Sequence, residues 1–348
     1  MNILVTGGAG FIGTNFIKYM LSEYNYTIVN LDLLTYAGNL NSLNDISQKP
    51  NYHFVEGNIG NQELVTEVFQ DYDIQTVINF AAESHVDPSI KNPAISFNTN
   101  VLGTENLLEV AKSYWKVNPL DGNCKKFKDG IKFIQISTDE VYGTLEKEGY
   151  FTEETNLAPN SPYSASKASA DMIVRAFHAT YGLPIMITRC SNNYGPYQQL
   201  KKLIPLTIGK ALMDKPILVY GEGKLIRDWL YVEDHCRAID AVLHKGKIGD
   251  IYNICGNNER QNIEMVKLIL SVLNKSEDLI EYLGDCPEHD RRYAIDNTKI
   301  IKELGWSPYY TVEEGIRITI EWYLSNADWM ETMIDDEVIM EYEGKDTV

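Results

Sequence analysis

The residues with the clearest capacity for acid–base chemistry lie between positions 132 and 167. An apolar, strand-like run at 132–136 turns polar at Ser137-Thr138-Asp139-Glu140, which places a hydroxyl beside two adjacent carboxyl groups. Neighbouring carboxyl groups in a dry pocket can hold different protonation states, so that one donates a proton while the other accepts one. We therefore interpret this strand end as a candidate catalytic segment.

A tyrosine and a lysine follow at helical spacing. Tyr163 and Lys167 lie four residues apart, which places both side chains on one face of a predicted helix. A lysine ammonium beside a phenol stabilises the phenolate, so the pattern predicts that Tyr163 acts as a base near neutral pH. Each signal is weak alone, because YxxxK patterns are common and an Asp-Glu pair after a strand is usually a solvated turn or a helix cap.

The N-terminal residues have the pattern of a dinucleotide-binding unit. A short apolar strand at 3–5 leads into TGGAGFIG (6–13) and an amphipathic helix, and a second strand at 27–31 ends at Asp32. Such glycines permit a tight turn and let a pyrophosphate approach backbone N–H groups. A carboxylate about twenty residues further on binds the adenosine ribose hydroxyls. Since it would repel a 2′-phosphate, NAD is predicted rather than NADP.

Strands and helices alternate along the rest of the chain. Further strands are predicted at 53–55, 76–80, 132–136 and 184–189, and helices at 62–69, 97–113, 163–181 and 309–324. This alternation predicts an α/β fold with a Rossmann-type doubly wound parallel sheet and a smaller C-terminal α/β substrate-binding region. Ligands of such sheets bind at the carboxyl ends of the strands, where the glycines, Asp32, the 81–84 segment and the two acids all fall.

The predicted domain boundaries follow changes in pattern. We expect an NAD-binding domain at 1–200, a mainly substrate-binding domain at 201–325 and an acidic tail at 326–348, with Asp228-Trp229-Leu230-Tyr231-Val232 returning a strand to the main sheet. Residues 114–130 lack periodicity and are predicted to be a surface insertion.

Charge and cysteine content exclude several classes of protein. The formal net charge of −18 argues against broad binding to nucleic acid or anionic membranes. The 5 cysteines show neither CxxC nor metal-ligand spacing, which predicts no metal site and reduced thiols in a cytoplasmic protein. No signal peptide is expected before the first strand, and no apolar run approaches membrane-spanning length.

Motifs spread over residues 1–325 carry a resemblance to one family. They are TGGAGFIG, LDLLTYAGNL, AAESHVD, STDEVYG, YSASKASAD, TRCSNNYGPYQ, KLIPL, RDWLYVEDH and HDRRYAID. The chain resembles the extended short-chain dehydrogenase/reductase family, and within it the dTDP-glucose 4,6-dehydratases. STDEVYG is the most specific motif, because the related sugar epimerases lack the Asp-Glu pair at this place.

The resemblance implies three groups of site residues. The catalytic group is Thr138, Asp139, Glu140, Tyr163 and Lys167. The cofactor-binding group is Gly7, Gly10, Phe11, Ile12, Gly13, Asp32, Leu33, Leu34, Thr35, Asn58, Ile59, Phe80, Ala81, Ala82, Glu83, Ser84, Thr99, Tyr163, Lys167 and Asn193. The substrate-binding group is Ser84, Thr138, Asn192, Lys202, Leu203, Leu218, Val219, Tyr220, Arg227, Asn262, Asp285, Cys286, Pro287, Glu288 and His289.

The resemblance also implies a reaction and an assembly. The reaction is the dehydration of dTDP-glucose to dTDP-4-keto-6-deoxyglucose by internal hydride transfer through tightly bound NAD. The assembly is a homodimer paired through the helices at 97–113 and 163–181. The chain departs from the family pattern at Asn58, Asn79, Pro88 and Cys286-Pro287-Glu288, where Asp, His, Arg and Arg-Pro-Gly are common. The last departure removes a cation beside the expected diphosphate.

Three alternatives stay open at this point. The first is a 4,6-dehydratase acting on UDP- or CDP-glucose instead of the dTDP sugar. The second is a nucleotide-sugar 4-epimerase, which needs Tyr163 and Lys167 but neither Asp139 nor Glu140. The third is a catalytically inactive NAD-binding scaffold, which would be expected to have lost Tyr163 or Lys167.

Overall fold

Seven parallel strands form the central sheet of the protein. The computed structural model describes residues 1–84, 86–118, 120–121, 125–284 and 291–333. Across the sheet the strands are Ile251–Ile254, Ile185–Cys190, Lys132–Thr138, Thr76–Asn79, Asn2–Thr6, Thr27–Asp32 and Tyr52–Glu56. All neighbours are parallel, so their carboxyl ends lie along one edge. The predicted Rossmann-type sheet is confirmed.

Helices cover both faces of this sheet because successive strand side chains point in opposite directions. Ile3 and Val5 join the core on one face, and Leu4 joins the core on the other. The first face is covered by the helices Phe11–Glu23, Val232–Lys245 and Thr298–Leu304. The second face is covered by the helices Gln62–Asp71, Thr104–Trp115 and Pro162–Tyr181. The order of the strands reverses between Asn2–Thr6 and Thr76–Asn79, which leaves a crevice at the carboxyl edge.

Two smaller sheets lie outside the main one. The first contains Glu259–Gln261, Ile226–Tyr231 and Asn192–Tyr194, and the second pairs Ile280–Leu283 with Ile217–Tyr220. The accompanying helices are Leu203–Leu212, Asn262–Val272, Val312–Ser325 and Ala327–Glu331. Shorter helical segments elsewhere are Leu40–Leu43, Val86–Lys91, Pro93–Phe97, Asn98–Gly103, Asp139–Tyr142 and Glu277–Leu279. Among the described residues, no helix is long and apolar enough to cross a membrane.

The prediction that residues 228–232 return a strand to the main sheet is wrong. The strand Ile226–Tyr231 lies between two short strands of the three-stranded sheet. The edge position beside Ile185–Cys190 is taken instead by Ile251–Ile254. Both runs are short and apolar, so their patterns alone could not decide which one pairs there. The boundary at residue 200 stays a prediction, although Ile251–Ile254 and Val232–Lys245 both belong to the main sheet layer.

Helix boundaries also differ from the predictions. The expected helix at 97–113 is three segments, because a π-helical stretch at Asn98–Gly103 separates Pro93–Phe97 from Thr104–Trp115. The expected insertion starts later than residue 114, since Trp115 is buried and donates its indole N–H to the Ile74 carbonyl at 2.7 Å. The last long helix begins at Val312 rather than 309, where Thr311 caps it. Of the tail, residues 334–348 lie outside the described residues.

Candidate active site

A cleft of about 330 Å³ opens at the carboxyl edge of the main sheet. It brings together most of the residues in the three predicted groups. Those that line it are Gly7, Gly10, Phe11, Ile12, Gly13, Asp32, Leu33, Thr35, Asn58, Ile59, Phe80, Ala81, Ala82, Glu83, Ser84, Thr99, Thr138, Asp139, Glu140, Tyr163, Lys167, Asn192, Asn193 and Lys202. Residues distant in sequence therefore meet in one place because every strand of the sheet ends there.

Other predicted site residues are not among those that line the cleft. They are Leu34 of the cofactor group and Leu203, Leu218, Val219, Tyr220, Arg227 and Asn262 of the substrate group. Val219 is buried in a separate small core with Ile217. The Arg227 guanidinium stacks over the ring of Tyr293, with 4.6 Å between the guanidinium carbon and the ring centroid. Asp285, Cys286, Pro287, Glu288 and His289 lie outside the described residues.

The glycine turn at the end of the first strand is shaped for a phosphate group. Gly7 has a φ of +69°, and a Cβ there would lie 2.7 Å from the backbone nitrogen of Ala81. A Cβ at Gly13 would lie 2.4 Å from the Gly7 carbonyl oxygen. Only glycine fits at both positions, and the helix Phe11–Glu23 begins here with its N-terminal N–H groups. Those groups and the helix dipole favour an anion such as a pyrophosphate.

Asp32 is held rigidly beside this turn. One of its carboxylate oxygens accepts the Ala9 N–H at 2.9 Å, and the other accepts the Leu34 N–H at 2.8 Å. Burial raises the pKa of Asp32, and the two N–H donors oppose that rise. Each carboxylate oxygen can accept further hydrogen bonds. The cradle and the oriented carboxylate together fit the diphosphate and the ribose hydroxyls of a dinucleotide.

The acid pair lies at the end of strand Lys132–Thr138. Thr138 caps the short helix Asp139–Tyr142 by accepting the Glu140 N–H at 3.3 Å, and its hydroxyl donates to Asp139 at 3.2 Å. Asp139 is only 2% exposed. Burial, followed by the nearby charge of Glu140, raises the pKa of Asp139 to about 8. The Asp139 carboxyl group is therefore protonated at neutral pH and can act as an acid.

Tyr163 and Lys167 lie on the buried face of the helix Pro162–Tyr181, which begins with a Ser161 capping box. The Lys167 ammonium donates to the Ile136 carbonyl at 2.7 Å, and burial lowers the pKa of Lys167. Burial, then the charge of Glu140, raises the pKa of Tyr163 well above its ordinary value. The role of Tyr163 as a base near neutral pH stays a prediction, and in the protein alone burial and the nearby carboxyl groups oppose the loss of its proton.

Asn100 joins two walls of the cleft and was not selected from the sequence. Its side-chain oxygen accepts the Glu83 N–H at 2.8 Å, and its amide donates to the Glu83 carbonyl at 3.1 Å and the Ser166 hydroxyl at 2.8 Å. It thereby ties the 81–84 segment to the helix that carries Tyr163. An amide inside an apolar helical stretch gives no local signal of such a role, because its partners are distant in sequence.

His235 is a second residue that the sequence reasoning missed. It is fully buried, and its Nδ1 lies 2.9 Å from the side-chain oxygen of Asn193. Burial lowers the pKa of His235 to about 3, so the ring is neutral and Nδ1–H donates to Asn193. Unselected residues that line the cleft are Leu31, Ala37, Gly38, Gly57, Ile136, Ser137, Cys190, Ser191, Gln198 and Gln199. Cys190 ends a strand and Ser191 directly follows it, which is a signal that could have found them.

A Tyr–Lys helix and a Rossmann-type glycine turn that line one cleft define the class as an extended short-chain dehydrogenase/reductase. A family model described as GDP-mannose 4,6 dehydratase matches residues 4–319. The dTDP-glucose 4,6-dehydratase of Xanthomonas campestris pv. campestris (strain B100) is 52% identical over 350 residues, which cover 98% of each chain. The chain belongs to the dTDP-glucose 4,6-dehydratase family.

Solved structures agree with this assignment. The crystal structure of dTDP-glucose 4,6-dehydratase from Bacillus anthracis str. Ames in complex with NAD has a TM-score of 0.87 and 52% identity, covering 96% of this chain and 100% of that one. DesIV, the dTDP-glucose 4,6-dehydratase from Streptomyces venezuelae crystallised with NAD bound, has a TM-score of 0.88 and 39% identity, with the same 96% and 100% coverage.

Proposed function

We propose that this protein is an NAD-dependent enzyme that dehydrates dTDP-glucose to dTDP-4-keto-6-deoxyglucose. The single observation that carries the proposal is the buried Asp139 adjacent to Glu140, in the same cleft as Tyr163 and the glycine turn. Family membership and the NAD-bound relatives support it. An oxidation site alone would need only the tyrosine and the lysine, whereas loss of water also needs an acid and a base.

The chain's own residues account for cofactor binding. The turn at Gly7–Gly13 would hold the diphosphate of NAD, and Asp32 would accept hydrogen bonds from the adenosine ribose. A carboxylate at this place disfavours NADP, because its 2′-phosphate would be repelled. The chemistry that bound NAD supplies is a hydride transfer, from C4 of the sugar at the start of the cycle and to C6 at its end.

Tyr163 begins the reaction by removing the proton of the sugar 4-hydroxyl group. The Thr138 hydroxyl would hold the same oxygen in place. Because burial and the nearby carboxyl groups raise the pKa of Tyr163, its deprotonation requires positive charge nearby. The Lys167 ammonium and the cationic nicotinamide ring of bound NAD are the two groups that would provide it.

Loss of water from the sugar uses the acid pair. A ketone at C4 makes the C5 proton acidic by conjugation, and Glu140 would remove that proton. Asp139 would donate its own proton to the departing C6 hydroxyl group. The two roles require different protonation states at neighbouring carboxyl groups, and the raised pKa of Asp139 provides that difference.

The test is a comparison of nucleotide sugars. Incubation with dTDP-, UDP- and CDP-glucose should convert the dTDP sugar best, with loss of one water and no accumulation of free NADH. Tyr163→Phe serves as the control, because without the base the first hydride transfer stops. A product of unchanged mass with inverted C4 would show an epimerase instead. No turnover of any sugar would favour a scaffold, and a preference for UDP-glucose would refute only the nucleotide.

We further propose a homodimer in the cytoplasm. Large apolar side chains are exposed at Phe97, Leu102 and Met172, within the segments expected to pair in a dimer. Cys190, Cys236 and Cys255 are free and buried, which suits a reducing compartment. Sedimentation of the protein as a monomer at micromolar concentration would contradict the dimer. Recovery of the native protein in a membrane or extracellular fraction would contradict the location.

A further inference from the structure

The C-terminal helix Ala327–Glu331 packs against a loop that forms one wall of the cleft. We call residues 33–43 the adenosine-side loop. The indole N–H of Trp329 donates to the Ser42 hydroxyl at 2.8 Å, and both residues are buried. The Asn39 side-chain amide donates to the Thr332 hydroxyl at 2.7 Å. The Asn39 amide also lies 3.0 Å from the Met333 sulfur, so three hydrogen bonds join the end of the described chain to this loop.

The adenosine-side loop is in turn fixed to the cofactor-binding turn. Its residues Thr35, Ala37 and Gly38 line the cleft. The Asn39 N–H donates to the Ala9 carbonyl at 2.9 Å, inside the glycine turn. Gly38 lies so close to Asp32 that a Cβ on it would approach a carboxylate oxygen at 3.1 Å. Any outward movement of the loop would therefore disturb the site proposed for the adenosine ribose.

Trp329 also packs against aromatic residues next to a second lining segment, Gln198 and Gln199. Its ring lies 5.1 Å from that of Trp322 and 5.7 Å from that of Tyr197, both in edge-on contact. Two further hydrogen bonds cross this region: Tyr323 OH to the Gln198 carbonyl at 2.7 Å, and the Gln199 amide to the Tyr36 carbonyl at 3.1 Å. Gln198 and Gln199 line the cleft. One aromatic cluster thus contacts both the loop and the segment that carries Gln198 and Gln199.

We propose that Trp329 is a positioning residue for the cofactor, which holds the adenosine-side loop closed over bound NAD and slows its release. The proposal rests on the proposed function, in which NAD returns to its starting oxidation state in each turnover. Such an enzyme has no need to exchange its cofactor, so a closed loop does not limit its rate. The helix Ala327–Glu331 contacts the loop and contributes none of the described residues that line the cleft, so its effect is on retention.

The experiment measures the dissociation rate of NAD in the absence of any sugar. Excess NADH displaces the bound NAD, and the fluorescence of NADH increases as it becomes bound. Trp329→Ala should release NAD about tenfold faster, which corresponds to a decrease of about 1.4 kcal/mol in the activation free energy of release. Ser42→Ala should accelerate release by a smaller factor, because it removes the hydrogen bond and leaves the Trp329 ring in place. Trp329→Phe removes the same bond and part of the ring contact, so its effect should lie between those of Ser42→Ala and Trp329→Ala. Since they remove the same bond, combining them should add little.

Trp306→Phe is the matched control. Trp306 is also buried and also donates its indole N–H to an oxygen, the Asp234 carbonyl at 3.1 Å, but it packs in the main core rather than on the loop. Its NAD release should match that of the unaltered protein. Turnover by Trp329→Ala should decay during dilution and recover on addition of NAD, a rescue that general unfolding would not give.

Two results would overturn the proposal. One is an unchanged NAD dissociation rate in Trp329→Ala, or in Trp329→Phe and Ser42→Ala if the alanine variant does not fold. The other is an equal acceleration in Trp306→Phe, which would show general loosening. Because no sugar is present, failure to dehydrate dTDP-glucose would count against the proposed function and leave this measurement unaffected.

Discussion

The cofactor half and the substrate half of the cleft are built in different ways. The cofactor half consists of short turns that directly follow strands of the main sheet, at residues 7–13, 32–38 and 80–84. The expected substrate half draws on two small separate sheets, which contain Ile217–Tyr220 and Ile226–Tyr231. Nearly all predicted cofactor residues line the cleft, whereas many of the predicted substrate residues do not.

The difference between the two halves shows where the local sequence is sufficient to predict which residues reach the ligand. A turn after a parallel strand has its position fixed by the strand, so its residues reach the ligand edge wherever they occur in the chain. Residues on separate sheets and loops reach the same place only through packing between layers. Asp139 and Glu140 directly follow a strand, as the cofactor turns do, but the proposed function has them act on the sugar in the substrate half. Substitutions in each half of the cleft separate these contributions.

The largest expected effect is that of Glu140→Gln, at the border between the two halves. We expect turnover to fall by about 10²- to 10⁴-fold, because the C5 proton loses its acceptor. Binding of NAD should persist, and enzyme-bound NADH should accumulate after the sugar is oxidised, as followed by its absorbance. Glu148→Gln, at an exposed position outside the cleft, is the control and should leave turnover unchanged. Normal turnover in Glu140→Gln would contradict the assigned base.

Asp139→Asn tests the acid and its pH dependence. The proposed acid is lost as the pH rises through about 8, so the rate of water loss should fall above that pH. Asp139→Asn should be slower by about 10²-fold or more at neutral pH and should lack this alkaline fall. Rate profiles measured with both proteins decide the point. An identical alkaline fall in the variant would assign it to another group.

Stability should depend on pH through the same carboxyl group. The folded pKa of Asp139, about 8, is raised above the ordinary value of 3.8, so the folded state binds one more proton between these values. The contribution of Asp139 to the free energy of unfolding should therefore fall as the pH rises from near 4 to about 8, and it should not change further above pH 8. Asp139→Asn should lack this contribution. Urea unfolding of both proteins at a series of pH values measures it, and parallel curves would refute it.

Gly13→Ala isolates the cofactor half. The added Cβ would lie 2.4 Å from the Gly7 carbonyl oxygen, so the turn must shift. Overpacking of this kind costs about 1–3 kcal/mol, and we expect NAD binding weaker by roughly tenfold to a hundredfold. Gly284→Ala is the control, since a Cβ there would meet no atom within 4 Å. Calorimetric titration with NAD gives both values, and equal affinities would refute the close packing.

Arg227→Gln isolates the substrate half and should have the smallest effect. If the guanidinium helps to bind the nucleotide, the KM for the sugar should rise by about tenfold while NAD affinity stays unchanged. The Arg227 charge also lowers the pKa of Asp139, so the alkaline fall in rate should move to higher pH. Arg237→Gln, which removes a cation paired with Asp234, is the control. A change in NAD affinity without a change in KM would reverse the assignment.

The sequence by itself determined the main sheet, the glycine turn, Asp32 and the acid pair. Each depends on short-range features: apolar runs of strand length, glycines at fixed spacing and polar residues directly after a strand. The resemblance added the reaction and the identity of the sugar. It also named substrate residues by position, several of which do not line the cleft.

Only the tertiary structure decided which strand completes the main sheet and how the site residues are supported. Ile226–Tyr231 and Ile251–Ile254 both form strands, and only the packing of the folded chain determines that Ile251–Ile254 pairs with the main sheet. The roles of Asn100, His235 and Trp329 arise from hydrogen bonds to residues far away in the chain. The pKa values of Asp139 and Tyr163 follow from burial. Burial is a property of the packed molecule, because it depends on all the atoms that exclude water from the group.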